Sequence, residues 1–517
     1  MAERATPPGR VRYRFGPLER RGLIAGWRGG QIATVAAGLV VGVFALRAHP
    51  SVAGVVAALA SASAGVAAAG WPIRGRTAEQ WCPLAVRWAV TSFSGGHLRT
   101  AAGPRRGAPV GVDPGGDPVL SVGPTPSGAP GGRWGARPGV FSGLRIVACP
   151  VTDDPGAPEA GVVVDPRART ATAVLAVRGH SFALLGPSEQ DARVAAWARV
   201  LAALAREGST VHRVQWVESC LPDDGAAARR YVEGHAALDT SSPAARSYAG
   251  LVEQSAPSTR RHRTLLAVSV HAGRSGRAVR ASGGGDDGAG AVVLREVVGL
   301  QRLLEETDAT VEGVLGPRAL GAVIREAVAP ADGLGSPTAV GGPGGTPAWP
   351  WPMAVEPTWE AVRADATWHA TYWVAEWPRV DITPDFLGPL LFAPVRRTIS
   401  LVMEPVSPSR AARQVAHART ADIADGELRR RGGFLVTARQ TREREGVEHR
   451  DVELADGHAQ YRFSGYVTVT ADDEEALRRS CAAVEQAAGQ ARLELRRLFG
   501  EQDVALAASL PLGRGLA

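Results

Sequence analysis

At 517 residues the chain has room for two or three domains, and the absence of any lysine excludes whole classes of chemistry. A phosphate-binding loop of the G-x-x-x-x-G-K-[ST] type needs its Lys, and Schiff-base or pyridoxal chemistry needs a side-chain amine. The net charge of +7 is modest and gathers in residues 1–29, where Arg4, Arg10, Arg12, Arg14, Arg20, Arg21 and Arg28 face only Glu3 and Glu19. Anionic lipid headgroups explain that pattern at least as well as nucleic acid does. With Arg as the only long cation and no Asn, the composition fits the codon bias of a high-GC genome.

Two apolar runs follow the basic segment, Ile32–Leu46 and Val52–Gly70, separated by Arg47-Ala48-His49-Pro50-Ser51. A spanning helix needs roughly 20 apolar residues. The second run reaches that length without a charge, and the first does so with Gly29–Gln31 and a snorkelling Arg47. Pro50 suits a tight turn between antiparallel helices. The expectation is a transmembrane hairpin; the competing reading is a pair of Ala- and Gly-rich helices buried in a soluble core. Basic residues near helix ends stay cytoplasmic. Arg74, Arg76 and Arg87 follow the second run and only Arg47 lies between the two, so both termini are expected in the cytoplasm. A second apolar run so soon after the first argues against a cleaved signal peptide.

Thr77–Trp88 has helical spacing at Trp81, Leu84, Ala85 and Trp88, which fits a helix at the headgroup boundary or a first helix of the soluble part. Ala101–Pro138 is a Gly/Pro linker. A mixed α/β region comes next. Gly161–Val164 and Thr170–Val177 read as a hairpin, Val211–Glu218, Thr264–His271 and Thr310–Val314 as strands. Ser188–Arg206, Ala226–Leu238, Pro243–Gln254, Val292–Glu306 and Pro317–Val328 read as helices. Gly283–Gly290 reads as a disordered Gly/Asp loop without the ligand spacing of a calcium site.

After a second low-complexity break at Gly333–Pro347, Trp368–Val380 alternates as a strand. Ile399–Pro405, Gln460–Thr470 and Arg492–Arg497 read as further strands, with helices at Pro408–Arg431 and Ala471–Gln486. The expected fold class is α+β: a two-helix transmembrane hairpin followed by cytoplasmic mixed α/β modules with a duplicated ferredoxin-like grammar. The expected organisation is a basic cytoplasmic segment (1–29), the hairpin (30–71), a juxtamembrane helix (72–100), a linker (101–138), one α/β module (139–330), a second linker (331–347) and a second α/β module (348–517).

Candidate sites are few. Six of thirteen tryptophans fall between Trp349 and Trp377, which reads either as a filled sheet core or as an aromatic docking surface carried by Trp368, Tyr372, Trp373 and Trp377. Base stacking by the second module is a further reading. No G-x-S-x-G, H-E-x-x-H or D-F-G string appears, so no catalytic residue is assigned. His369 and Glu376 are seven apart on the expected strand and so point to opposite faces. Cys82, Cys149, Cys220 and Cys481 stand singly, which argues for reduced, packed thiols and against a metal. No cofactor is expected. The tandem arginines Arg260-Arg261, Arg396-Arg397 and Arg429-Arg430-Arg431 read as solvated faces, and the other histidines as isolated.

A family resemblance rests on named segments. Met353–Thr358, Trp368–Pro378, Phe386–Leu391, Ser464–Val469 and Leu510–Gly515 resemble, in order, a family of actinobacterial integral membrane proteins of conjugation-like, type IV secretion loci. That family looks like a two-helix membrane subunit fused to the non-ATPase half of a transfer ATPase. A more distant likeness is to EccE of type VII secretion, which also has two N-terminal helices and a cytosolic α/β domain. The resemblance implies a non-catalytic membrane scaffold or adaptor of a secretion or DNA-transfer machine. Its partners would be membrane lipid, other subunits including a separate ATPase, and further copies of itself. A membrane-bound enzyme with an unrecognised site around His369 and Glu376 is the competing class, and a nucleic-acid-binding membrane protein the third.

The arginine asymmetry sets a topology test. A reporter fused after Gly75 is expected to read cytoplasm and one inserted at His49 the far side. A Gly75 fusion that reads outside would overturn the hairpin.

Overall fold

The computed structural model describes residues 29–71, 76–93, 99–100, 139–152, 158–179, 182–222, 242–255, 260–307, 309–330, 350–432 and 438–515. The expected helix Ala226–Leu238 and both linkers lie outside these residues.

Helices α1 (Gly29–Ala48) and α2 (Val52–Gly70) form a hairpin. Ser51 caps α2 by accepting from the Gly54 N–H at 3.4 Å. Glycines let the two backbones approach: a Cβ on Gly38 would lie 2.9 Å from Ser61 O, and one on Gly65 3.2 Å from Gly38 Cα. At the open end Gln31 Nε2 donates to Ala69 O at 2.8 Å. Leu39, Val43, Phe44, Val56 and Leu59 point outward and are exposed. A pair of core helices would hide such residues; here both helices are uncovered and long and apolar enough to cross a bilayer. Helix α3 (Ala78–Phe93) and the short strand β1 (Arg99–Thr100) follow.

The first α/β segment runs β2 (Arg145–Pro150), β3 (Glu159–Asp165), β4 (Thr170–Arg178), α4 (Pro187–Leu204), β5 (Val211–Pro222), α5 (Pro243–Ser255), β6 (Arg260–His271), α6 (Gly276–Ala281), α7 (Gly285–Glu305), β7 (Thr310–Val314) and α8 (Pro317–Val328). The second runs β8 (Ala354–Pro357), β9 (Val362–Ala364), β10 (Thr367–Glu376), α9 (Gly388–Leu391), β11 (Arg397–Val406), α10 (Pro408–Gly432), α11 (Ala438–Ala455), β12 (Gln460–Ala471), α12 (Glu474–Gln490), β13 (Glu494–Arg497) and α13 (Gln502–Ser509).

All thirteen strands join one sheet in the order β1-β8-β9-β10-β12-β11-β5-β6-β4-β3-β2, with β13 also on β10 and β7 also on β4. Every pairing is antiparallel. The order β7-β4-β6-β5 is that of a split β-α-β, ferredoxin-like unit, and β13-β10-β12-β11 repeats it. The outer edge of β4 is shared by β3 and β7, and that of β10 by β9 and β13. Buried hydroxyl pairs mark matching positions: Thr172 with Ser269 in the first half and Thr371 with Thr468 in the second, each at 2.8 Å. Ser269 faces Arg213, and Thr468 faces Thr398. Three residues further along, Trp216 and Leu401 are therefore equivalent, and they face one another across β5 and β11. The halves meet about this pair.

Helices α4 and α7 cover one face of the first half over Val200, Leu204, Val292, Val293, Val297 and Leu300, and α12 covers the same face of the second over Leu477, Cys481 and Val484. The other face has a core common to both halves. Leu320 and Ile324 of α8, Val217 and Leu265 of the first half, Val355 and Val362 of the second, and Leu506, Leu510 and Leu512 of the C-terminal tail pack together there.

Gly285–Gly290, expected as a loop, forms the first turns of α7. Asp286 and Asp287 lie in its first turn, where the helix dipole favours negative charge. The glycines serve close packing, since a Cβ on Gly290 would lie 2.6 Å from Cys149 Sγ. The buried Gln215 side chain locks the tail to the join. Its Nε2 lies within hydrogen-bonding distance of Ser400 Oγ (2.8 Å), Ala508 O (3.0 Å) and Leu510 O (2.8 Å), and its Oε1 accepts from Gly513 N (2.8 Å). Gly513 has φ +66°, and a Cβ there would run into Ser269 Oγ.

Gln215→Ala is expected to cost several kcal/mol, since each buried polar group left unsatisfied costs about 1–3 kcal/mol. Gly513→Ala should destabilise through strain and collision at the same place. Thermal unfolding of the full chain checks both; a Gln215→Ala variant that melts with the parent would show that this amide does not hold the join.

Candidate functional site

Helix α3 connects the hairpin to the sheet domain. Its Trp81 ring stacks on Trp359 of the β8–β9 loop at 5.8 Å, and Trp88 meets the same ring edge-on at 5.6 Å. Phe499, from the turn after β13, lies 6.0 Å from Trp81 and 6.4 Å from Trp359. Gly500 (φ +71°) makes this approach feasible: its N–H donates to Trp359 O at 2.9 Å, and a Cβ would lie 2.8 Å from the Trp359 ring. Arg76 donates to Glu501 at 3.1 Å, and Arg87 reaches Gly500 O at 3.4 Å and Glu501 at 3.8 Å. The Arg76 guanidinium also lies 5.6 Å from the Trp81 ring centre.

The Trp-rich strand is β10, which ends at Glu376 instead of continuing to Val380; Pro378 supplies no ladder donor. Trp368 packs against the α12 core, and Tyr372 is buried within it. The Tyr372 hydroxyl donates to Glu485 at 2.7 Å, the Arg497 guanidinium lies 5.4 Å from its ring centre, and burial pushes its pKa up. On the other face Trp373 Nε1 donates to Ser464 at 3.0 Å. Trp377, beyond the strand, sits edge-on to Phe463 at 5.4 Å and to Phe386 at 6.5 Å, half-buried at the rim of the sheet. Beside β13 an open cleft of about 550 Å³ is lined by Glu360, Tyr372, Glu485, Glu494, Arg496 and Arg497. Arg497 reaches Glu360 at 3.3 Å, and Arg496 reaches Glu494 at 2.7 Å.

His369 is fully buried, with Nε2 donating to Val328 O at 2.8 Å and Nδ1 within 3.0 Å of the Thr470 hydroxyl. Burial pushes its pKa down to about 4. Glu376 pairs with Arg379, so the structure does not bring His369 and Glu376 together. Among the described residues, no group of three or more His, Cys, Asp or Glu side chains is placed to hold a metal.

Two expectations need correction. The tandem arginines are expected on solvated faces, yet Arg397 is fully buried and donates to Glu218 at 3.0 Å and to Leu390 O at 2.5 Å, while the side chains of Arg429-Arg430-Arg431 lie outside the described residues. Glu218 also meets His262 at 2.6 Å. Arg261 pairs with Glu326, which Arg263 reaches at 2.5 Å. A buried carboxylate demands such partners, and the strands that supply them are far apart in sequence. The sequence presents the remaining histidines as isolated, but His212 and His271 lie 5.4 Å apart, edge-on. Arg274 bridges His212 (3.1 Å) and Glu404 (3.0 Å), and burial pushes His212 down to about 4. No local spacing signals this cluster, because its residues come from β5, the end of β6 and the turn after it, and β11.

Residues 258–374, from β6 through most of β10, match the family described as "Putative type VII ESX secretion system translocon, EccE". No curated protein matches the chain. The matched stretch includes α7, α8, Trp359 and Tyr372.

Substitutions on β10 separate packing from docking. Tyr372→Ala should lower stability by about 3–5 kcal/mol, the cost of truncating a core aromatic, while Tyr372→Phe should lose about 1 kcal/mol with its hydrogen bond. Trp368→Ala tests the same face, and Trp373→Ala and Trp377→Ala the opposite face and rim. Thermal melts and recovery of co-purifying proteins read the two effects; four alanine variants unchanged in both would remove any role for this segment.

Proposed function

We propose that the chain is a membrane-anchored, non-enzymatic subunit of a type VII-like secretion translocon. It holds a double ferredoxin-like domain at the cytoplasmic face of the membrane and docks other machine components there, a separate ATPase among them. The observation that carries this reading is the match of residues 258–374 to the EccE translocon family, in a chain that also has two helices able to cross a bilayer. The uncovered apolar faces of α1 and α2 supply the anchor. The aromatic and ionic junction at Trp81, Trp88, Trp359 and Glu501 couples that anchor to the sheet. In this reading Trp377 and Phe463, at the rim of the sheet, offer aromatic anchors of the kind that dominate docking surfaces.

Affinity purification of the tagged full chain from mildly solubilised membranes tests the proposal. Recovery of other membrane subunits of a secretion machine, with its ATPase, is the expected result. A chain that fractionates with the membrane but purifies alone would overturn it, as would ATP turnover that persists after every co-purifying protein has been removed.

A further inference from the structure

Helix α3 has two apolar faces, and the sheet domain uses only one. Trp81 and Trp88, whose spacing fits either a headgroup-boundary helix or a first helix of the soluble part, are turned to the protein against Trp359. The other side carries Cys82, Val86, Val90 and Phe93 at helical spacing, all exposed: Val86 by 56%, Val90 by 62% and Phe93 by 92%. An apolar stripe of this kind on a helix of 16 residues is not left in water without a function.

Its position says what covers it. Helix α3 begins eight residues after the end of α2 and touches both hairpin helices. The Glu79 carboxylate, in its first turn, packs directly against Gly30. Negative charge at that place suits the N-terminal turn of α1. Gln31, next along α1, binds Ala69 at the end of α2. The start of α3 is therefore at the open end of the hairpin, where the apolar surfaces of α1 and α2 stop. Trp71, at that same end, is 74% exposed. Arg76 and Arg87 point from α3 and its lead-in to Glu501, on the side of the domain.

We infer that α3 is a two-faced clasp on the lipid surface. Its Cys82–Val86–Val90–Phe93 stripe lies in the headgroup–acyl boundary of the bilayer that the hairpin crosses, while Trp81 and Trp88 grip the sheet domain. The domain is then held flat to the membrane and does not hang from a tether. This inference rests on the membrane anchoring proposed above and adds a second, in-plane contact to it. Interfacial helices of this kind bury their apolar face some 5–10 Å into the boundary.

Cys82 lies on the stripe and is the only exposed thiol of the chain, the other three cysteines being buried. A small environment-sensitive maleimide on Cys82 of the full chain, reconstituted in nanodiscs of mixed neutral and anionic phospholipid, therefore reports the site without further mutation. The expected result is several-fold stronger quenching by lipids carrying a nitroxide near the headgroup end of the acyl chain than by aqueous iodide. The double substitution Val86→Glu and Val90→Glu should reverse that order while the chain stays in the nanodisc. Quenching by iodide alone, with the chain still in the nanodisc, overturns the inference and leaves the membrane anchor standing. A label that neither quencher reaches also overturns it, and assigns the stripe to a second copy or another protein. A chain that does not enter nanodiscs at all overturns both.

Discussion

The pairing of β5 with β11 is the contact on which the rest of the domain depends. Both are ten or more residues long, both are interior strands, and each is the last ferredoxin-order strand of its half. Without the other half, each would present an open row of backbone donors and acceptors, an edge that natural sheets protect. Joined about Trp216 and Leu401, they turn two small sheets into one with no exposed edge at its centre. Buried polar groups then specify the register. Gln215 reaches Ser400 on the facing strand, and Ser219 meets Thr398 at 3.3 Å. A slip of one residue would move these groups to the opposite face and strand them.

The halves are also tied by exchange. Helix α8 follows the first half in sequence, yet its Arg325 donates to Asp365 of the β9–β10 turn at 2.7 Å, and Val328 O receives His369. The tail follows the second half, yet its Arg514 donates at 2.8 Å to Asp165, which ends β3 and caps the β3–β4 turn. Each half thus sends an arginine to the turn carboxylate of the other. The sequence Leu510–Gly515 owes its composition to this: two leucines fill the common core, Gly513 turns under Gln215, Arg514 makes the clasp, and Gly515 passes against the Tyr466 ring, where the Tyr466 hydroxyl donates to its carbonyl.

What could be read from the sequence, and what could not, follows from how local each signal is. Helix α8 was legible to the residue because Gly316 and Pro317 form a start signal and its apolar spacing is regular. The hairpin helices were legible from length and apolarity. Helix α11 was not: among its described side chains Val447 and Leu454 join the small core with Val415 and Ala418 of α10, and its other positions are mostly charged. The alternation of β10 gave its existence but not the character of its faces, because both are covered and His369 and Thr371 are as buried as Tyr372. The duplication was legible as a grammar of elements, but the place where the halves join was not, since Trp216 and Leu401 are different residues with no shared local signal. The aromatic junction was half-legible: Trp81 and Trp88 stood out on one helix face, but their partner Trp359 lies in a loop far along the chain.

That junction also fixes where a displacement of α3 would arrive in the sheet. Trp359 and Phe499 hold α3, and the residues beside them are bound to the middle of β10: Leu498 N donates to Thr371 O at 3.1 Å. Gln502 brackets the same residue, accepting from Thr371 N at 2.8 Å and donating to Thr371 O at 3.2 Å. Thr371 in turn meets Thr468 on β12, the strand next to β11. A displacement of α3 is therefore delivered, through short hydrogen bonds between buried groups, to the second half of the sheet and on to the β5–β11 join. These groups are buried and hydrogen-bonded in series, and packed interiors transmit strain. By contrast α10 and α11 branch off between β11 and β12, and among their described side chains Val415, Ala418, Val447 and Leu454 form the core between them.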